Sequence, residues 1–347
     1  MISGIFHQSY EKDMSLRTSH AQKIRIVLLL IVLLAFPFFA NRYTLTLANQ
    51  IGIAVIGAIG LNILVGYTGQ ISLGQGGFMA VGAYAAGILS ARLGMPWWAS
   101  TIAACFITAF VGILFGVPSL RLKGLYLAIA TLAAQVIILW VVTHWKVLTG
   151  GVDALVVPTP MLFGIKMSSD FNFYWLVWGL VIIATIAAVN LFRTHWGRAF
   201  IAIRDQDIAA SVMGVDLFKY KLLAFAISSF YVGLAGALIA HYRSIVTWER
   251  FTIDVSVLYL AMIIIGGLGS ITGSYLGAIF MTLLPAVLSN LGSAVKDKFP
   301  AIDSLIPFIQ QGAFGLVIIL FLIFEPEGLN KIWKNIKDYF RLWPFSY

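Results

Sequence analysis

The stretch RDQDIAASVMGVDLFKYK, Arg204 to Lys221, carries charge between two long apolar runs, and its residue types suit docking rather than bond-breaking chemistry. Asp205 and Asp207 open a segment, QDIAASVM, whose residues favour helix. Acids at a helix start complement the amide dipole and can cap its free N–H groups. Gly214 then ends that helix, because glycine readily takes the left-handed cap geometry. A helix of about two turns is unstable alone in water, so it needs a surface to lie on. The expectation is that Ile208, Val212 and Met213 face the rest of the chain. Ala209 and Ala210 leave room for a second body to approach closely. Arg204, Asp205, Asp207, Ala209, Ala210, Met213 and Gly214 are the residues expected to meet that body. The plainer reading is a connector between spans, but connectors in bundles are usually short and Arg193–Lys221 is long and capped.

A second group of polar residues lies in GYTGQISLGQGGFMAVGAYAAG, Gly66 to Gly87. Glycine and alanine here let backbones approach, and Gly74, Phe78 and Gly82 share one helix face. Thr68, Gln70, Ser72 and Gln75 cluster where one apolar run turns into the next. Polar groups at such a place line a water-filled passage or satisfy an interrupted helix, and close packing alone is the competing reading. Gly69, Gln70, Ser72 and Gln75 are therefore candidates for a passage, joined by Gly266, Gly267 and Gly269 of GGLGSITGSYLGAIF, Gly266 to Phe280.

Other chemistry is not supported. No G-x-x-x-x-G-K-[ST] loop occurs, so any nucleotide that drives this chain is bound elsewhere. His7, His20, His144, His195 and His241 have no second metal-ligand type at a ligand spacing, so no metal or catalytic site is expected. The single Cys105 lies in an apolar run and reads as a small buried residue.

These residues sit in a chain that is 60% hydrophobic and only 11% charged, with a mean hydropathy of +0.93. A soluble domain has about 25% charged residues. Lipid tolerates only helices or closed barrels, and continuous apolar runs of about 20 residues are helical in length. The expected fold class is all-α, a polytopic transmembrane bundle of about ten spans with both termini cytoplasmic. The spans fall near 26–41, 44–65, 73–91, 97–117, 124–143, 173–192, 221–242, 255–269, 273–290 and 305–324. The first, Ile26–Ala40, reads as an uncleaved helix rather than a signal peptide, since no small-residue cleavage site closes it.

With the N-terminus inside, fifteen of the 23 Lys and Arg residues fall on the cytoplasmic side, as the positive-inside rule requires. The net charge of +9 therefore reports topology, and no nucleic-acid partner is expected. The organisation is a cytoplasmic tail 1–25, a membrane domain 26–325 with the cytoplasmic loop 193–220, and a cytoplasmic tail 326–347. That last tail mixes Lys with Trp, Tyr and Phe and reads as an interfacial helix. No Asp or Glu lies in the middle of a span, which argues against a carrier coupled to protons or sodium.

Five segments together carry a family resemblance: GYTGQISLGQGGFMAVGAY, LRLKGLYLAIATLAAQ followed by LTGG, GRAFIAIRDQDIAASVMGVDLFKYKLLAF, GLAGALIAH and IIIGGLGSITGSYLGA. The chain resembles, over roughly Ile51 to Leu329, the Liv-type membrane permease subunits of ABC importers for branched-chain amino acids. In ABC importers a cytoplasmic Glu-Ala-Ala-x-x-x-Gly helix docks in a cleft of the ATPase. Ala209, Ala210 and Gly214 match that pattern, and Ile208 stands where the Glu would be. The stretch before the first matching block suggests the M-type rather than the H-type subunit. The resemblance implies a bacterial inner-membrane assembly of two different permeases, two cytoplasmic ATPases that bind ATP and magnesium, and a periplasmic binding protein. The chain itself would bind no cofactor. A stand-alone secondary amino-acid transporter, a membrane scaffold without transport, and an ABC permease for urea or amides are the other readings.

Overall fold

In a computed structural model the protein is described at residues 20–122, 124–162, 164–295, 302–325 and 327–342. The chain divides into two compact units, Met1–Thr46 and Leu47–Tyr347. The described part of the first holds α1 (His20–Phe39) and the opening turn of α2 (Arg42–Thr68). Its side chains Val27, Leu28, Ile31 and Val32 are exposed, as lipid-facing residues would be. Residues 1–19 of the expected N-terminal tail lie outside the described residues, and His20–Arg25 already belong to α1.

The second unit is a helical bundle around α2. Every residue from Ile51 to Gly66 is buried, which explains why this helix is apolar on all sides. After it come α3 (Gln75–Arg92), α4 (Trp97–Ser119), α5 (Leu125–His144) and the single turn α6 (Lys146–Thr149). The irregular segment that follows holds β1 (Leu155–Val156), β2 (Met161–Leu162) and β3 (Ile165–Lys166). Next are α7 (Asp170–Arg193), α8 (His195–Asp205), α9 (Asp207–Val212) and α10 (Leu217–Arg243). Strand β4 (Ile245–Val246) pairs antiparallel with β1, and β2 pairs with β3. The chain closes with α11 (Ile253–Gly266), α12 (Ile271–Val295), α13 (Ile302–Phe324) and α14 (Leu329–Leu342).

Small residues set the distances between helices. Helix α4 exposes Ile102, Phe106, Phe110 and Leu114 at four-residue spacing and buries Ala104, Thr108, Gly112 and Gly116. That buried stripe meets α10, where a Cβ on Gly233 would stand 2.6 Å from the Thr108 hydroxyl oxygen. On its other side α10 meets α3, and a Cβ on Gly236 would run into the Met79 carbonyl oxygen. In lipid such close approach replaces the hydrophobic drive that folds soluble helices together.

Among the described residues six helices are long and apolar enough to cross a membrane: α2, α4, α5, α7, α10 and the Ile271–Asn290 part of α12. A seventh arises if α13 and α14, bent by 51°, count as one span. Two expected spans have a specific reason to look different. Helix α11 has 14 residues, about 21 Å at ~1.5 Å per residue, against a hydrocarbon core of ~30 Å. Helix α3 is 18 residues long, and its first turn is buried. Helix α3 begins inside the bundle, whereas α11 starts with the exposed Ile253 and Asp254 and becomes buried at Ser256.

Replacing Gly236 by Leu wedges α10 away from the Met79 backbone. Overpacking of this kind costs roughly 1–3 kcal/mol, so the detergent-solubilised protein should melt several degrees lower. Gly179→Ala is the internal comparison, because nothing lies within 4 Å of that position. Equal melting temperatures for the two variants in a fluorescence-detected melt would show that α3 and α10 are not held by backbone contact.

Candidate functional site

Helix α2 ends at Thr68, and Gly69, at φ +68°, turns the chain out of it. A side chain would be strained there, which is why glycine closes the helix. Residues 69–74 are not helical, and the chain folds back along α2. The Gln75 amide donates to the Gly57 carbonyl at 3.1 Å, eleven residues before the end of α2 and so ~16 Å along it. The break is satisfied by side chains from two neighbouring helices, α5 and α11. The Leu73 N–H donates to the Thr131 hydroxyl at 2.9 Å, and the Gly76 N–H to the Ser256 hydroxyl at 2.7 Å. Ser256 in turn donates to the Gln135 side-chain oxygen at 2.7 Å, and Gln135 donates to the Phe251 carbonyl at 3.2 Å.

The first turn of α3 thus meets the buried Ser256 of α11, and Gln135 of α5 ties that serine to the backbone just before α11. The start of α3 has N–H groups without an intrahelical partner, and lipid supplies none, so the Ser256 hydroxyl that accepts from Gly76 helps this helix to begin there.

The Gly266–Ser270 turn between α11 and α12 is held by Asn62 of α2, which is buried. Its side-chain oxygen accepts from the Gly269 N–H at 2.9 Å. Its amide nitrogen donates to the Ser270 carbonyl and the Ser274 hydroxyl, each at 2.8 Å. From the other side Gly267, at φ +118°, lies against the start of α14, where Asn330 accepts from the Thr272 hydroxyl at 2.6 Å.

Arg204, the last basic residue of α8, reaches into this junction. Its Nη1 donates to the Gly66 carbonyl at 3.2 Å, and its Nε and Nη2 donate to Asp205 at 2.9 and 2.8 Å. A Cβ on Gly269 would stand 2.7 Å from Arg204 Nη1, and one on Gly69 3.4 Å from its Cγ. Both glycines have positive φ, +68° and +69°, and the arginine arm lies against each of them. Lys221, one turn into α10, lies 3.7 Å from the Asp207 carboxylate, and its carbonyl accepts from Gln70 at 3.4 Å. Between these groups is a cavity of about 340 Å³ lined by Thr68, Gly69, Arg204, Asp207 and Lys221.

The structure therefore brings the three groups of sequence-selected residues into one junction. Arg204, Asp205 and Asp207 meet Gly69 and Gln70 around the cavity, and Gly269 lies against Arg204. Ser72 and Gln75 are buried, and Gln75 is bonded to backbone.

The details of the charged segment differ from expectation. Asp205 ends α8 rather than starting a helix, and the helix break falls at Gln206. Gln206 is the residue before α9, and no side chain caps that helix start; Asp207 stands in its first turn. The face assignment is reversed. Ile208, Val212 and Met213 are 68%, 81% and 84% exposed, whereas Ala210 is buried. The cause is the small size of Ala210, which lets α9 lie close to the bundle and turns the larger side chains outward. Gly214, at φ +86°, ends α9 as expected. The Val215 N–H bonds the Ala210 carbonyl and the Gly214 N–H the Ser211 carbonyl, both at 3.0 Å, which is the paired pattern of a left-handed glycine cap. Asp216 then caps α10 by accepting from the Lys219 N–H at 3.1 Å.

Sequence reasoning missed Asn62, Gln135 and Ser256. A signal for them existed: each is a polar side chain within or beside a long apolar run, where such a group is expensive unless it has a partner.

The chain matches the family model for the branched-chain amino acid transport system permease component over residues 43–324. It is 32% identical over 332 residues to the high-affinity branched-chain amino acid transport system permease protein LivM of Salmonella typhimurium, covering 89% of this chain and 75% of that one. The LivM of Escherichia coli K12 is equally similar, again at 32% over 332 residues. A probable LivH of Methanocaldococcus jannaschii is 27% identical over 301 residues, covering 82% of this chain and 90% of its own. No solved structure matches. With a helical membrane bundle, a helix that begins inside it and a family match across most of its length, the chain belongs to the permease components of branched-chain amino acid transport systems.

Proposed function

We propose that this chain is one of two different permeases in an ATP-driven importer of branched-chain or related amino acids. It crosses the bacterial inner membrane about ten times, with both termini in the cytoplasm. Two ATPase subunits bind ATP and magnesium below it, an H-type permease lies beside it, and a periplasmic binding protein delivers the substrate. The names of the similar proteins support this reading, as do the missing nucleotide loop and the missing intramembrane acid.

The observation that carries the mechanism is the hydrogen bond from Arg204 to the Gly66 carbonyl. Helix α9 presents Ile208, Val212 and Met213 to the outside, and Ala209 beside them is exposed too. An apolar face next to charge is what a cleft in another protein can grip. Movement of α8 and α9 by the ATPases would act through Arg204 on both glycine breaks at once. The Gly69–Gln75 and Gly266–Gly269 segments are the deformable parts of the junction, since their non-helical backbone can rearrange without melting a whole helix. Gln70, Ser72 and Gln75 offer polar groups to a solute once the break opens, and close the passage by bonding backbone when it shuts.

Two outcomes follow. Val212→Asp places a charge on the apolar face of α9, and an unpaired charge at a dry contact costs several kcal/mol. ATP-dependent uptake by the assembled importer should fall at least ~10-fold, with the same amount of chain in the membrane; unchanged uptake would remove α9 from the coupling role. Arg204→Met should leave the ATPases hydrolysing ATP while substrate no longer stimulates them, and Arg204→Lys should restore part of that stimulation. Full stimulation in Arg204→Met would show that force reaches the glycine breaks by another route.

A further inference from the structure

A second cavity, of about 220 Å³, lies toward the opposite end of α2 and α10 from the Arg204 junction. Its walls are mostly apolar and include Ile53, Met79, Phe251 and Tyr259, and Arg243 and Arg250 line it as well. Both arginines are exposed, and among the described residues neither has an acidic partner; Arg243 stands only over the Tyr242 ring, at 5.6 Å. Gln50 also lines the cavity, and its side-chain amide is engaged by no described residue. These polar groups contrast with Gln75, Gln135 and Asn62, which are all taken up in holding backbone.

We infer that this cavity is a way-station for one free amino acid with an apolar side chain, with Arg243 and Arg250 receiving the carboxylate and the apolar wall receiving the side chain. The inference rests on the importer reading above and adds a place within the chain where its substrate stops. Size supports it. At ~30 Å³ of liquid per water the cavity holds about seven waters, and it lies below the ~300–1,000 Å³ of drug-sized pockets. Guanidinium groups without partners suit a carboxylate because the planar fork donates two parallel hydrogen bonds. Gln50 offers both an acceptor for the ammonium and a donor. Position supports it too. Phe251 precedes α11 and Met79 follows the first turn of α3, so the cavity lies beside the Gly76–Ser256 and Gln135–Phe251 contacts that hold the start of α3. A solute there is adjacent to the Gly69–Gln75 break without having passed it.

The test is direct binding of radiolabelled L-leucine to the full chain in lipid nanodiscs, with melting temperature as the check on folding. The wild type should bind saturably. 4-Methylpentanoate, which keeps the carboxylate and the side chain, should compete, and isoamylamine, which lacks the carboxylate, should not. The double variant Arg243→Gln, Arg250→Gln should bind at least ~10-fold more weakly, as expected for a lost charge-assisted hydrogen bond, and the double Lys variant should keep more of the affinity. Leu258→Trp, which fills the cavity from its wall, should abolish binding with the arginines intact. Absence of saturable binding, equal binding by the double Gln variant, or equal competition by isoamylamine overturns the inference. ATP-driven leucine uptake by the assembled importer is measured alongside. Uptake that is unaffected in the double Gln variant overturns the way-station alone. A wild-type assembly that moves no amino acid overturns the importer reading, and leucine binding to the chain still decides the cavity.

Discussion

A backbone N–H or carbonyl inside hydrocarbon has no water to turn to, and the whole bundle depends on how it answers that demand at two places. Helix α3 begins within the interior, where its first N–H groups are orphans. Ser256 accepts from Gly76 at the start of α3 and donates to Gln135, and Gln135 donates to the Phe251 carbonyl just before α11. Asn62 does the same for the turn at Gly269 and Ser270. These bonds cost entropy and gain little against water, but here the alternative is an unpaired group in a medium of low dielectric, so they decide which backbone conformations exist.

Glycine and arginine complete that arrangement. Gly69 and Gly269 take left-handed backbone, the absence of a side chain at Gly66 lets Gly269 lie against α2, and the Arg204 arm lies beside both turns. The guanidinium stays charged at any physiological pH and gives one N–H to a carbonyl at the end of α2 while holding Asp205 with two others. A surface helix pair is thereby joined to the two breaks that interrupt the bundle. Small residues elsewhere, such as Gly233 against Thr108, hold the remaining helices at backbone distance.

Much of this was readable from the residues. The long apolar runs announce helices, the positions of Gly69 and Gly214 announce helix ends, and the polar set Thr68, Gln70, Ser72 and Gln75 announces an interrupted helix. The face of α9 was read the wrong way round because apolar side chains usually turn inward, whereas close packing at Ala210 leaves Ile208, Val212 and Met213 outside. Helix α8 was not foreseen, and Asp205 was taken as a helix start because its neighbour Gln206 carries no sign of a break. The starts of α3 and α11 fell within two residues of the expected spans, but the burial of the first turn of α3 was invisible, since an apolar run looks the same whether its helix spans the membrane or begins halfway.

Sequence alone determined the class of this protein. Its hydropathy, its lack of a nucleotide loop and the small residues around Arg204 follow from local composition and spacing, which need no partner to be read. Only the tertiary structure decided that Arg204, Gly66 and Gly269 share one junction and that Asn62, Gln135 and Ser256 hold the interior breaks. The physical reason is that a hydrogen bond between residues 138 positions apart, as Arg204 and Gly66 are, depends on how helices pack. Packing is set by the sum of many close contacts, and no single stretch of sequence contains it.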